Sequence, residues 1–244
     1  MRRKKIITRR QALVTGLSAM GAALMLPGCS KPLPPTYGSI LRMGDNLTYV
    51  AHRALLQGQS LAREYRHADV SSFPAVGTTN PSEGNEEYAR LLSKSFEDYK
   101  LEIAGQVSNP GSYSLSDLMK LPSRNQITKH TCEEGWTAIA EWTGVPLNAL
   151  LQQAGLLPSA RFIVFHTFDN WIDSLDLMDA LHPQTIVAYG MNGRTLPLQH
   201  GAPLRLRVET QIGYKSIKYI KKIEASDTFV DYGVDTGWAW YTGI

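Results

Sequence analysis

A lone thiol beside paired carboxylates sets the chemical problem in this chain. Cys132 stands in Lys129-His130-Thr131-Cys132-Glu133-Glu134-Gly135-Trp136, and the only other cysteine is Cys29. Cys29 closes what reads as an export signal, so the body of the protein has no cysteine pair for a structural disulfide. An unpaired thiol in an exported protein invites oxidation unless it is buried or bound. Three uses are open: inert core packing, nucleophilic catalysis and metal ligation. Packing is the commonest fate of a free cysteine. A thiolate is also a soft, strongly donating ligand for a metal bound by sulfur. No signature of a cysteine nucleophile surrounds Cys132.

The N-terminus indicates where this chemistry is deployed. Arg2, Arg3, Lys4, Lys5, Arg9 and Arg10 form a basic head without an acidic residue, followed by an apolar run over residues 12–26. The run is shorter than the roughly 20 apolar residues of a membrane-spanning helix, and it reads as a secretory signal. Thr8-Arg9-Arg10-Gln11-Ala12-Leu13 resembles the twin-arginine export motif. That route, through the twin-arginine translocase, carries folded proteins and commonly serves those loaded with a cofactor before export. Leu26-Pro27-Gly28-Cys29 resembles a lipobox, in which Cys29 would be the lipidated first residue and the one membrane contact. The prolines of residues 30–35 deny the chain a helix and make an extended tether. The expected division is a signal at 1–28, a tether at 29–40 and a single domain at 41–244, placed in the periplasm or otherwise outside the cytoplasmic membrane.

Of the 25 basic residues six lie in the signal, so 19 basic residues face 22 acidic ones beyond it, a net charge of −3. Bulk charge therefore gives no indication of nucleic-acid binding, and no nucleic-acid partner is expected. The remaining length suffices for one substantial core or two small ones.

The elements that must position Cys132 follow from local patterns. Leu47, Val50, Ala51, Ala54, Leu55 and Leu61 fall near helical spacing, and residues 71–85 carry loop chemistry. A short helix is expected over 86–95 and a strand over 99–104, ending at Gly105. Ser114 is placed to cap a helix carrying Leu115, Leu118 and Met119. A strand over 126–131 leads to Cys132, and a helix over 146–154 stops at Gly155. Further strands are expected at 161–166, 185–189, 204–209 (half-exposed) and 217–223, with a short helix at 174–180 and a tight turn at 191–194. Strands and helices mix without the even alternation of a doubly wound sheet, which predicts an α+β fold with a mixed β-sheet.

Several segments recur in a set order: His130-Thr131-Cys132 with Glu133-Glu134-Gly135-Trp136; Trp142-Thr143-Gly144-Val145-Pro146-Leu147; His182-Pro183; Val187-Ala188-Tyr189-Gly190-Met191-Asn192-Gly193; His200-Gly201-Ala202-Pro203-Leu204-Arg205-Leu206; and Gly213-Tyr214-Lys215-Ser216-Ile217-Lys218-Tyr219-Ile220. In this order and spacing, from about residue 99 to 224, they resemble the molybdopterin domain of the sulfite oxidase superfamily, which includes sulfite oxidases and periplasmic methionine sulfoxide reductases. The resemblance implies a sulfite-oxidase-type α+β domain, a molybdenum-molybdopterin cofactor and two-electron oxygen-atom transfer. It implies Cys132 as the metal ligand, with Thr167, His200, Arg205, Ser216, Ile217 and Lys218 at the pterin. An arginine fork suits the pterin phosphate. Tyr189 is implied as a substrate-side phenol able to hydrogen-bond an oxygen, with packing at a strand end as the alternative. Residues 73–79, ahead of the first family strand, are placed to replace the segment that touches the pterin in relatives, but they match it poorly and are left off the set of site residues. Arg207, Lys215, Lys221 and Lys222 read mostly as a solvated strand face, and His166 and His182 as structural histidines.

The site mixes two patterns. His200 and Tyr189 look oxidase-like. The Cys132 segment looks reductase-like, because Glu133 and Glu134 replace the positive segment that serves sulfite in the oxidases and would disfavour an anion. Trp136 is placed to line a pocket for a neutral substrate or to join the core. No Cys-x-x-Cys-His segment occurs, so no haem is expected on the chain. Electrons are expected to pass through a separate partner, such as a periplasmic cytochrome or a haem-bearing membrane protein. The competing reading is a cofactor-free lipoprotein that kept the fold for substrate binding or electron-transfer assembly.

Overall fold

The computed structural model describes residues 60–230, with positions 43, 47, 50, 51 and 53–55. The signal and tether expected at 1–40 lie outside the described residues, as do the aromatic residues Trp238, Trp240 and Tyr241. The described positions between 43 and 55 are helical, whereas Leu61 is not in a helix.

Among the described residues, two five-stranded sheets carry the fold. The first is mixed and is built from β1 (Lys100–Gly105), β2 (Gly111–Ser114), β5 (Phe162–Thr167), β6 (Ile172–Asp176) and β10 (Ile220–Ser226), in the order β2-β1-β10-β5-β6. Its one parallel pair is β1 with β10. The second comprises β3 (Arg124–Thr131), β4 (Thr137–Pro146), β7 (Ile186–Met191) and β8 (Arg194–Thr195), with β9 (Arg205–Arg207) paired to β7. This arrangement is the α+β class that the sequence predicts.

Local chemistry explains the helices. α1 (Glu86–Ser93) starts where Asn85 accepts the Tyr88 amide, and α2 (Leu115–Lys120) starts at a capping box between Ser114 and Asp117. α3 (Leu147–Ala154) buries Leu147, Leu150 and Leu151 and stops at Gly155. Three expectations shift. The helix expected at 174–180 is mostly β6, with only one turn of helix, α4 (Leu177–Ala180), once Asp176 caps it. The last strand begins at Ile220 instead of 217, because Tyr219 takes a positive φ of 57°. The strand β4 has no counterpart in the sequence reading.

The main core joins the first sheet, α3 and one face of the second sheet, through residues such as Leu101, Ile103, Leu150, Phe165, Val187, Leu206 and Ile223. A smaller cluster of Ala140, Trp142, Ile186, Ala188, Met191 and Leu196 covers the opposite face of the second sheet, with Phe73 against it. Where β4 meets β7 the register shifts between Thr143 and Gly144. A side chain at Gly144 would meet the Val187 carbonyl at 2.3 Å, so only glycine permits this close approach.

Candidate functional site

Period-two geometry assembles the site on the face that carries the smaller cluster. β9 pairs Arg205 with Ala188 and Arg207 with Ile186. Its Leu206 enters the main core, so both arginines turn to the other face. There they flank Trp142, with guanidinium carbons 4.9 and 4.6 Å from its ring centroid. The half-exposed strand and solvated face expected here are thus corrected. Arg205 and Arg207 are 4% and 1% exposed, and Lys215 is fully buried. The polar face of β9 covers a cleft, which a two-state polar/apolar pattern cannot distinguish from solvent.

Cys132 follows the end of β3 and is 5% exposed. It opens the turn to β4, where its amide donates to the Trp136 carbonyl at 2.9 Å and its carbonyl accepts from Gly135 at 3.1 Å. Its Sγ lies 3.6 Å from a Glu133 carboxylate oxygen and 3.9 Å from one of Glu134. Burial, with the two carboxylates adding to it, pushes the thiol up to about 11. The Trp136 indole donates to Glu134 at 3.0 Å and fixes that carboxylate.

Cys132 opens onto a cleft of about 300 Å³ whose lining also holds His130, His200, Arg205, Ser216, Ile217 and Lys218. Arg205 donates to the carbonyls of His200 at 3.1 Å and Ser216 at 2.9 Å. Its buried Nε has no partner among the described residues. Burial, then Arg207, lowers its pKa to about 9. The Lys218 ammonium donates to the carbonyls of Val76 at 2.8 Å and of Thr78. Burial, then Arg205, brings it down to about 8. His200 is lowered to about 4 by burial, Arg205 and Lys218. Burial lowers all three groups, and the Arg205 charge adds to the lowering at Lys218 and His200, a state an anion in the cleft would relieve.

Two of the expected site residues do not reach the lining. Thr167 is buried behind it. Its hydroxyl donates toward Asp169 at 2.5 Å and accepts the Trp171 amide at 2.8 Å, shaping the loop whose Asp169 and Trp171 face the cleft. Tyr189 is the extra residue of the β4–β7 register shift, and its ring packs on the main core. Conversely, the segment left off the expected site supplies Phe73, Pro74, Val76, Gly77 and Thr78 to the lining. Phe73 sits 5.0–5.5 Å from the rings of His130, Trp136, Trp142 and His200. The sequence signal for it was an aromatic in loop chemistry ahead of the first strand, in the segment offered there as a replacement pterin contact and left off the expected site for its poor match.

Among the described residues no three His, Cys, Asp or Glu side chains gather to chelate a bare ion. A metal here would have to arrive with ligands of its own, take one thiolate from the chain and carry negative charge to the orphaned Arg205 Nε. These requirements are those of a molybdopterin oxidoreductase, in which the metal rides on an anionic, sulfur-bearing organic ligand. Residues 89–231 match the family described as the oxidoreductase molybdopterin binding domain, and the chain belongs to that family.

Curated relatives extend the likeness over nearly the whole chain. A protein of Azospira oryzae named putative protein-methionine-sulfoxide reductase subunit YedZ1 is 31% identical across 96% of this chain and 87% of its own length. A protein-methionine-sulfoxide reductase catalytic subunit MsrP of Xanthomonas campestris is 33% identical across 91% of this chain and 70% of its own. Among solved structures, the sulfane dehydrogenase SoxCD of Paracoccus pantotrophus aligns with a TM-score of 0.53 at 24% identity, over 56% of this chain and 40% of that one. At that identity the likeness concerns the fold alone.

Proposed function

We propose that this chain is the catalytic subunit of an exported molybdenum-molybdopterin enzyme that removes an oxygen atom from a neutral sulfoxide-type group. The observation that carries the reading is the polarity of the cleft. Buried Arg205 and half-buried Lys218 form a cationic patch with no carboxylate bonded to them among the described residues, while Glu133 and Glu134 stand beside Cys132. The patch suits a pterin phosphate; the carboxylates repel a sulfite anion from the metal end. The names of the relatives as protein-methionine-sulfoxide reductases support the reductive direction.

When bound, the cofactor supplies a metal that exchanges two electrons and accepts or gives up one oxygen. Cys132 would ligate that metal through sulfur. Arg205, His200 and the Ser216–Ile217–Lys218 backbone would hold the pterin and its phosphate, with Thr167 supporting from behind. Lys218 would hold the segment at residues 76–78 over the cofactor by its bonds to the Val76 and Thr78 carbonyls. Overall, the sulfoxide takes two electrons and two protons and leaves as sulfide and water. The twin-arginine pattern at residues 8–13 supports folded export to the periplasm, and Cys29 is a candidate lipid anchor. Electrons would arrive from a separate cytochrome or haem-bearing membrane protein.

The test uses molybdenum-loaded protein, with a reduced dye and methionine sulfoxide in one assay and sulfite with an electron acceptor in the other. Sulfoxide reduction without sulfite oxidation is expected. The opposite outcome would support the second reading, sulfite-type oxidation, which the match of His200 to the oxidases favours.

A further inference from the structure

Alternation at the end of β3 buries His130 and Cys132 and leaves Lys129 and Thr131 exposed. His130 thereby lines the cleft together with Cys132. It is 6% exposed, and its ring is wedged against Phe73 and Trp136 at centroid separations of 5.0 and 5.4 Å. Nδ1 lies 2.7 Å from Nη1 of Arg207. A guanidinium only donates, so Nδ1 accepts and the ring proton belongs on Nε2. Arg207 is itself fixed. Its Nε and Nη2 donate to Glu209 at 3.2 and 3.0 Å, and its Nη1 also reaches Ser216 Oγ at 3.3 Å.

Nε2 has no hydrogen-bond partner among the described residues, although the opposite nitrogen is held firmly. Beside it stands Gly213, where a Cβ would fall 2.5 Å from Nε2, 2.7 Å from Cε1 and 3.3 Å from the Cys132 Cα. The missing side chain leaves room for the imidazole beside the Cys132 backbone. Three other side chains with donors nearby are engaged, and the open Arg205 Nε is the one that would meet the cofactor's negative charge. The Trp136 indole is bonded to Glu134, Arg205 to two carbonyls, and Lys218 to the carbonyls of Val76 and Thr78.

We infer that His130 is a catalytic residue that touches substrate: its fixed, uncharged Nε2–H donates to the oxygen of a neutral S=O group seated beside Cys132. The inference rests on the sulfoxide reading above. An S=O oxygen concentrates partial negative charge and brings no proton of its own, so it binds best to a donor already in place. Ionised Glu133 and Glu134 accept only and cannot serve it.

The test uses the full chain labelled with 15N at histidine and dimethyl sulfoxide as the probe. His130 should show the Nε2–H tautomer, and that resonance should shift on titration with the probe. In molybdenum-loaded protein His130→Phe keeps the aromatic wedge but removes the donor. It should lower kcat/KM for methionine sulfoxide about ten- to hundredfold with molybdenum content unchanged. His130→Gln, whose amide can both accept from Arg207 and donate forward, should recover most of the loss. An Nδ1–H tautomer, a resonance unmoved by the probe, or wild-type kcat/KM in His130→Phe would each overturn the inference. If the loaded protein reduces no sulfoxide while the resonance still shifts, the proposed reaction fails and the donor role of His130 stands.

Discussion

Lys215 and Arg205 are both buried cations, and their surroundings differ. Lys215 meets Asp173 at 2.7 Å, and both side chains are fully buried. Arg207 meets Glu209 at 3.0 Å, with each 1% exposed. Asp179 is likewise held, by Arg53 at 2.7 Å, Thr210 at 2.7 Å and Gln211 at 2.8 Å. Arg205, by contrast, has carbonyl partners and an orphaned Nε. Burying an ion is expensive unless a counter-charge comes with it. The first group is therefore complete within the chain, whereas the second is completed by something the chain binds. Neutralised clusters build the frame; the open one marks the site.

Breaking a closed pair should have the largest effect. Lys215→Met strands a carboxylate in the interior and should destabilise the cofactor-free chain by about 3–5 kcal/mol in urea unfolding. Arg205→Met, in the same assay, should stay within about 1 kcal/mol of wild type, since it removes two hydrogen bonds together with an uncompensated charge. Equal losses in both variants would abolish the distinction between frame and site.

The next largest effect concerns the thiol. Because Cys132 is pushed up to about 11, its thiolate is scarce at pH 8. Alkylation of the cofactor-free protein should run about a hundredfold slower than that of a free thiol. Glu133→Gln should speed it a few-fold, and an unchanged rate would show that the carboxylate does not act on the sulfur.

Asp179 supplies the smaller, pH-dependent contrast. Burial raises its pKa, but the bonds from Arg53, Gln211 and Thr210 outweigh burial and leave it below the usual value. A depressed folded pKa gives stability that is full above the unfolded value near 3.9 and is lost as pH falls through the folded one. Asp179→Asn should therefore lower stability by roughly 2 kcal/mol at pH 7, and the gap should close on acidification. A gap independent of pH would assign the effect to packing.

The same contrast explains what could be read from the chain. Cys132, His200, Arg205 and the 216–218 segment were legible because type, order and spacing survive in one dimension, and the structure gathers them in one cleft. The caps at Ser114 and the stop at Gly155 were legible from local chemistry. Arg207 and Lys215 looked solvated because their carboxylate partners act through space. Glu209 is two residues away across a strand end, and Asp173 is 42 residues away. Phe73 was missed for a related reason, since a loop aromatic acquires its role only when strands β3 and β4 come under it. Tyr189 was drawn toward the site by its motif, but it lies at the β4–β7 register shift on the side of Val187 and packs on the main core.

The central claim is that the open cationic cleft at Cys132 is completed by molybdopterin. Elemental analysis of the full chain, produced in a host that makes the cofactor, tests it most directly. Near-stoichiometric molybdenum in the wild type, falling sharply in Arg205→Met, is the predicted result. Molybdenum absent from the wild type, or undiminished in the variant, would contradict it.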